Sequence, residues 1–397
     1  MNQLENIQPC ADWEEYLLCD VANTTSGGTP NRSKKEFYEG EIPWVKSGEL
    51  NDNFIYGTEE HISEDGLKKS SAKLFPSGTL LMAMYGATVG KTAILKIEAA
   101  TNQAVCGIFP NQTKANTDFL RYQLVFFREK LLSERYGGAQ PNISQTIIKN
   151  IQLRLPTLLE QCRIAYVLST VQTAIEQQSR LIKLTRELKS ALMHKLFTEG
   201  LHGEKQKMTE IGPVPESWKI EPFEKFTILQ RGKDLTKVNF KNGRVPVAGS
   251  NGVIGYNDVA FVKAPGVTVG RSGSVGKVTF YDQDFWAHNT SLYVKDFHGN
   301  DPRFAAYYLE VLEIGRFKTG ASVPTLDRNS FKHLPIAVPP KDEQIEIGNN
   351  LSEVDKKIEI TVHRKAILEE LFRTLLNQLM TGQTRVNDID LPGFSGG

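Results

Sequence analysis

The stretch MYGATVGKTAIL, Met84 to Leu95, sets a lysine and a threonine behind two glycines, the residue types that cradle a nucleotide phosphate. A phosphate loop needs G-x-x-x-x-G-K-[ST], so that backbone N–H groups curl round the phosphates and the lysine reaches the terminal ones. Here the order is Gly86-x-x-x-Gly90-Lys91-Thr92, one residue short, with Tyr85 where the first glycine belongs. A loop shortened in this way does not wrap phosphates as a true one does, which counts against ATP or GTP hydrolysis. The seven histidines are dispersed, and none forms an H-E-x-x-H pair. Cys10, Cys19, Cys106 and Cys162 make neither C-x-x-C metal spacing nor a disulfide framework, which fits a reduced intracellular compartment. No metal site is expected. His288 and Asn289 have no nucleophile elbow to work with.

The bulk numbers are those of a soluble globular protein with no overall basic field. Formal net charge is +1, so any surface for nucleic acid has to be a local patch. A chain of 397 residues asks for two or more domains. The N-terminal stretch MNQLENIQPCADWEEYL lacks a basic start before an apolar core, so no signal peptide is expected. No apolar run reaches the length of a membrane span, and the expected location is the cytoplasm.

The glycine-lysine loop occurs twice. TVGKTAI at 88–94 recurs as SVGKVTF at 274–280, and ATNQAV at 100–105 recurs loosely as AHNTSL at 287–292. GAQPNISQTIIKNIQLRLPTLLEQ at 138–161 recurs as GASVPTLDRNSFKHLPIAVPPKDEQ at 320–344. From the proline onward the last match needs no gap. Pro141 pairs with Pro324, Pro156 with Pro339 and Glu160-Gln161 with Glu343-Gln344, all at one offset, 183 (324 − 141). Upstream, Pro9 to Trp13 matches Pro215 to Trp218. Tryptophan to proline spans 128 positions in the first copy (141 − 13) and 106 in the second (324 − 218), so the cores differ by one large loop.

The elements that must position these loops follow from periodicity. In each copy, short β-branched and aromatic runs bounded by Gly, Pro, Asn and Ser predict strands and turns, and TDFLRYQLVFFREKLLSER and PRFAAYYLEVLEIGRF predict a helix. Then comes a long amphipathic stripe. Ile164, Leu168, Val171, Ile175, Leu184, Leu188, Leu192 and Leu196 recur mostly at steps of three and four. Adding 183 gives Ile347, Leu351, Val354, Ile358, Ile367, Leu371, Leu375 and Leu379, all apolar. Each stripe predicts a helix of about 40 residues, roughly 60 Å long, whose narrow apolar face packs on its own copy. Pro156 and Pro339 stand before these helices, and Gly200 and Gly382 near their ends. The expected fold class is therefore α+β: two pseudo-symmetric mixed α/β domains joined by two long antiparallel helices in a coiled coil. The domains are expected at opposite ends of the pair, because each helix carries the chain from one end to the other. The expected division is a first domain at 1–156, a long helix at 157–200 and a linker at 201–214. A second domain at 215–339, a second helix at 340–385 and a tail at 386–397 complete it.

In this order the chain resembles the specificity subunits of Type I restriction-modification systems. The resemblance covers nearly the whole chain. It rests on GGTPNRSKKEFYEGEIPWVKSGELN at 27–51, GATVGKTAI with TNQAVCGI, GSVGKV, IGPVPESW at 211–218, and the P…EQ lead-in to each helix. It implies two target recognition domains, each reading half of a bipartite double-stranded DNA target. It also implies two partner modification subunits that methylate adenine, and restriction subunits that translocate and cut DNA. Those partners would use S-adenosylmethionine, ATP and magnesium, while this chain would bind no cofactor and catalyse nothing. The residues agree with a non-catalytic chain, for the sequence holds neither N-P-P-[YF] or D-P-P-Y nor the F-x-G-x-G of a methyl-donor loop. The second domain departs from the G-G-T-P opening, with RGKDLTKVNF instead.

Candidate DNA contacts are donor-rich positions in the repeated loops and their surroundings, since phosphate contacts come from Lys, Arg, Ser, Thr and backbone N–H. In the first domain they are Lys46, Ser47, Tyr85, Thr88, Lys91, Asn102, Asn142 and Ser144. In the second they are Arg231, Lys233, Arg271, Ser272, Ser274, Lys277, Asn289, Lys318, Thr319 and Arg328. Ungapped matching of the loops sets Arg271 against Tyr85, and either a phosphate or a guanine edge suits that arginine. Asn102 and Asn289 either contact bases or cap turns. A plain structural turn with a solvated lysine is the alternative for the loops themselves.

Overall fold

The computed structural model describes residues 12–133, 142–236, 238, 240–320, 324–387 and 389–394, so Pro9, Cys10 and Pro141 of the repeat comparison lie outside the described residues. The chain divides into two compact units, Met1–Gln177 with Lys365–Gly397, and Gln178–Arg364.

In the first unit, Glu14–Leu17 pairs antiparallel with Gln152–Leu155 and closes the domain at its base. Above this lies a five-stranded sheet in the order Ala22–Ser26, Val105–Pro110, Leu80–Ala83, Thr92–Leu95, Asn53–Ile55. A four-stranded sheet follows the order Glu60–Ile62, Ile42–Val45, Ala99–Thr101, Leu74–Phe75. The runs LLMA at 80–83 and TAIL at 92–95 are buried at every position, as strands covered on both faces require. Helix Thr117–Ser133 packs Phe119, Leu120 and Tyr122 into the core.

The second unit repeats this plan with fewer parts. Lys219–Pro222 pairs with Pro335–Val338 at the base. The larger sheet runs Ile228–Arg231, Ser291–Asp296, Gly266–Gly270, Val278–Tyr281, and the smaller one Gly252–Asn257, Val245–Gly249, Trp286–Ala287. Helix Pro302–Val311 starts on Asp301, whose carboxylate accepts from the N–H groups of Arg303 and Phe304. The first unit's surplus is edge strand Asn53–Ile55, helix Glu64–Lys68 and strand Leu74–Phe75, which accounts for its longer core.

The long helices are Leu158–Glu199 and Lys341–Met380. They run antiparallel within each unit. In the first, Ile164 and Leu168 share a core with Leu376 and Leu379; in the second, Leu196 shares one with Ile347 and Leu351. Gly200 and Gly382 end the helices in the left-handed region, both with φ 70°.

The buried seam differs from the expected stripe at its middle. It steps strictly by four and three, through Ile164, Leu168, Val171, Ile175, Gln178, Ile182, Thr185, Lys189, Leu192 and Leu196, each buried or half-buried. The second helix follows the same heptad, through Ile347, Leu351, Val354, Ile358, Thr361, Lys365, Leu368, Phe372, Leu375 and Leu379. Leu184, Leu188, Ile367 and Leu371 fall between seam positions and are exposed by 50, 59, 52 and 42 %. Assigning Leu188 and Leu371 to the helix–helix interface is therefore corrected. The heptad passes through polar residues there, while the leucines lie on another face.

The expected linker at 201–214 carries structure of its own, a hairpin of Gln206–Thr209 with Gly212–Pro215. The tail also packs. Val386 is buried, Arg163 donates to its carbonyl at 2.8 Å, and the Tyr166 hydroxyl donates to the Pro392 carbonyl at 2.7 Å.

Candidate nucleic-acid interface

Each unit presents the glycine-lysine loop as the turn of a β-hairpin, between Leu80–Ala83 and Thr92–Leu95 in the first and between Gly266–Gly270 and Val278–Tyr281 in the second. A phosphate loop must lead from a strand into a helix; here Thr92 opens a strand. The hairpins are closed identically. Ala83 N–H donates to the Lys91 carbonyl at 2.9 Å, and Gly270 N–H to the Lys277 carbonyl at 2.8 Å.

The backbone bonds correct two sequence correspondences. Met84 N–H meets the Ala104 carbonyl and Ile143 N–H meets the Met84 carbonyl; Arg271 and Leu326 make the equivalent bonds with Thr290 and Arg271. Arg271 therefore stands in the place of Met84, and Ser272, bridged to Thr325, in the place of Tyr85, bridged to Asn142. The first loop is one residue longer, so ungapped matching slips at its start. Likewise His288, not Asn289, takes the place of Asn102. Asn102 N–H donates to the Val45 carbonyl and His288 N–H to the Ala248 carbonyl. Each side chain then accepts the N–H two residues on, that of Ala104 or Thr290. The divergent openings are also one element. Gly27 and Gly232 lie so close to the strand carrying these residues that a Cβ on either would run into its carbonyls, those of Thr101 and His288.

In the first unit, Thr88 donates to the Ser47 carbonyl at 2.7 Å, and Lys91 Nζ donates to Asn51 Oδ1 at 2.7 Å. With Tyr85 bridged to Asn142, this gathers Ser47, Tyr85, Thr88, Lys91 and Asn142 on one edge. Lys46 adjoins them but is held by Glu59 and Glu60, each at 3.1 Å, and these hydrogen bonds raise its pKa, that to Glu60 most. Ser144 caps helix Gln145–Lys149, accepting the Ile147 N–H at 3.3 Å. Asn102 Oδ1 closes the turn already described, the capping alternative for that residue.

In the second unit, Lys318 and Thr319 pair with Leu326 and Thr325, beside Arg271 and Ser272, and exposed Arg328 follows two residues on. The Ser274 carbonyl accepts the Lys277 N–H at 3.3 Å, and Lys277 Nζ donates to Asn251 Oδ1 at 2.7 Å. A separate group forms at the end of strand Ile228–Arg231. Arg231 is exposed, Lys233 Nζ lies 4.5 Å from the Phe261 ring centre, and Asn289 Nδ2 donates to Asp234 at 2.7 Å. His288 is tied to the Thr290 hydroxyl at 2.8 Å and the Leu235 carbonyl at 3.2 Å, while the Ser291 hydroxyl lies against the Ala248 and His288 carbonyls. Serine and imidazole are thus not arranged as nucleophile and base. Burial pushes the Cys106 thiol up to about 12, which leaves it unreactive at neutral pH. Among the described residues no cluster of His, Cys, Asp and Glu could hold a metal, and no helix is long and apolar enough to cross a membrane. Asn51 and Asn251, which hold the two loop lysines, were not among the sequence candidates. They sit at different offsets from their lysines, so the repeat gave no signal for them.

Residues 11–186 and 215–370 each match the family described as Type I restriction modification DNA specificity domain. The chain is 22% identical over 419 residues to the Type I restriction enzyme MjaIX specificity subunit of Methanocaldococcus jannaschii, covering 95% of each. It is 24% identical over 421 residues to the MjaVIII specificity subunit of the same organism, covering 98% of this chain and 96% of that one. Its fold resembles that of the S subunit of a Type-I restriction-modification system from M. genitalium, with a TM-score of 0.68 at 17% identity, covering 96% of this chain and 98% of that one.

Proposed function

Since the chain belongs to the Type I restriction modification DNA specificity family, we propose that it reads a bipartite double-stranded DNA target, one half-site per domain, and catalyses no step itself. The observation that carries this is the duplicated edge. In each unit the glycine-lysine hairpin turn is bridged to a segment upstream of the closing strand, Tyr85 to Asn142 ahead of Gln152–Leu155 and Ser272 to Thr325 ahead of Pro335–Val338. Polar and cationic groups collect there in a chain of almost no net charge, so the local patch takes the place of a global field. Lys46, Ser47, Asn142, Lys318, Thr319, Arg328, Arg231 and Lys233 supply phosphate-facing donors, and Arg271 a base-facing one; the Thr88 hydroxyl is spent on the Ser47 carbonyl and holds the turn. Ser144, Ser274, Asn102 and Asn289 hold turns and caps around them.

The partners are two modification subunits, docked on the long helices, together with restriction subunits. Support comes from the faces the seam leaves out. Leu184 and Leu188 on the first helix, and Ile367 and Leu371 on the second, are repeat equivalents and all exposed. Two equal apolar patches suit two equal partners. S-adenosylmethionine, ATP and magnesium belong to those partners, and the complex works in the cytoplasm. The test is methylome sequencing of cells that carry this chain with its modification subunit and no other adenine methyltransferase. One motif of two specific halves separated by a fixed gap is expected. Methylation without a sequence motif would reduce the chain to a scaffold.

A further inference from the structure

Both units keep a lysine–asparagine pair that the fold does not need. Lys91 Nζ donates to Asn51 Oδ1 at 2.7 Å; Lys277 Nζ donates to Asn251 Oδ1 at 2.7 Å and to the Asn251 carbonyl at 3.0 Å. The lysines are repeat equivalents, but the asparagines ride on unrelated backbone. Asn51 precedes Asp52, a corner with φ 57°. Asn251 is at the tip of the two-residue turn between Val245–Gly249 and Gly252–Asn257. Two different chain paths thus bring the same amide to the same ammonium. Asn51 and Asn251 are both exposed, so the pairs contribute little to the core.

The chemistry of the pair is directional. An ammonium only donates, so the amide atom it meets is the oxygen, and the amide cannot flip without losing the bond. Among the described residues the Nδ2 donors and the second lone pair of Oδ1 meet no further partner. One donor beside one acceptor is what the N7 and N6 edge of adenine demands in the major groove. The Asn51 corner is also held firmly. The Asp52 carbonyl accepts from Arg121 Nη1 at 3.0 Å and from Gln172 Nε2 at 2.7 Å, and Asp52 N–H donates to the Thr92 carbonyl at 2.8 Å. A pre-set amide loses less freedom when it meets a base.

We propose that Asn51 and Asn251 are base-reading residues, each taking an adenine edge in one half of the target, and that Lys91 and Lys277 are positioning residues that orient them. This rests on the DNA-reading function proposed above. The lysines act through the amides, in place of the phosphate contact otherwise expected of them.

The test uses the complex of this chain with its modification subunits. Its methylated motif is sequenced, and its binding to motif duplexes with single base-pair changes is measured at several salt concentrations. Asn51→Asp keeps the lysine bond and loses the amide donor, whereas Lys91→Met removes the ammonium and keeps the stem. Asn51→Asp and Asn51→Ala are expected to lower the preference for one A·T pair in one half-site roughly tenfold, leaving the other half intact. Lys91→Met should relax that same position, and the double variant should be no worse than Asn51→Ala alone. Asn251 and Lys277 variants should do the same in the other half-site. Unchanged base preferences in the asparagine variants overturn the proposal. So does a Lys91→Met variant that binds every duplex equally less well with a shallower salt slope, the mark of a phosphate contact. A wild-type complex without a bipartite motif overturns the function itself, a result distinct from either.

Discussion

The Trp218 indole donates from Nε1 to Glu343 Oε2 at 3.0 Å, with both side chains buried. The other oxygen of Glu343 accepts the Leu201 N–H at 2.7 Å, so one carboxylate ties the first strand region of a domain, the end of one long helix and the start of the other. Its repeat equivalent Glu160 is buried as well, and binds Arg385 at 2.6 Å. Gln344 and Gln161 complete the lead-in. They accept the backbone N–H of Asp301 and Asn116, the residues that begin the domain helices, at 2.9 and 2.8 Å.

Glu343→Ala strands the buried Trp218 Nε1 donor and the half-buried Leu201 N–H. Each unmet buried group costs about 1–3 kcal/mol, so a stability loss of about 2 kcal/mol or more is expected, and a smaller one for Glu343→Gln, which keeps an oxygen acceptor. Urea unfolding of the two variants measures it. A loss under about 0.5 kcal/mol for the alanine variant, within the range of ordinary surface changes, would mean that water replaces the carboxylate.

The heptad seam makes a sharper contrast between two side chains six residues apart. Ile182 is 9 % exposed and Leu188 is 59 % exposed. Ile182→Ala should cost about 2 kcal/mol, and Leu188→Ala less than about 0.5 kcal/mol, in the same unfolding measurement. Equal losses would return Leu188 to the interface.

The repeat, the P…EQ lead-ins and the two long helices were legible because each depends on residues close in sequence or at one fixed offset. The middle of the seam was not. Gln178, Thr185, Lys189, Thr361 and Lys365 hold heptad positions there, and apolar pattern alone moved the stripe to Leu184 and Leu188. Lys189 shows how such a position is satisfied: it pairs with Asp355 at 2.7 Å, and Asp355 accepts the Tyr307 hydroxyl at 2.7 Å. The loop correspondences slipped by one residue, at Arg271 and at His288, because only backbone pairing reveals a single-residue difference in loop length. Asn51 and Asn251 were invisible for the related reason that different backbone carries them.

If the long helices set the gap between half-sites, four residues inserted after Gln178 should lengthen it. The insertion adds about 6 Å, one or two base pairs at 3.4 Å each, and turns the seam beyond it by only about 40°. Two inserted residues turn it by about 200° and should abolish activity. Methylome sequencing reads both variants, and an active four-residue variant with the original gap would remove the helices as rulers.

Arg271 is fixed by backbone bonds at Thr290 and Leu326, which leaves its guanidinium to carry specificity. Arg271→Ala should cost about 1–3 kcal/mol on one base pair of one half-site. Lys318→Ala and Arg328→Ala should instead weaken binding to all sequences and lower the salt slope by about one each. Uniform weakening by Arg271→Ala would place that arginine on a phosphate.

One domain per half-site is the central claim, and the repeat offers a direct measurement of it. The closing strand pairs, Glu14–Leu17 with Gln152–Leu155 and Lys219–Pro222 with Pro335–Val338, mark equivalent cut points. Residues 218–338 are replaced by a second copy of 13–155, and the methylome of cells carrying this chain with the modification subunit is sequenced. The two-fold repeat predicts a motif made of the original first half-site and its inverted copy, across an unchanged gap. Retention of the original second half-site, or loss of the first, would contradict the assignment of one half-site to each domain.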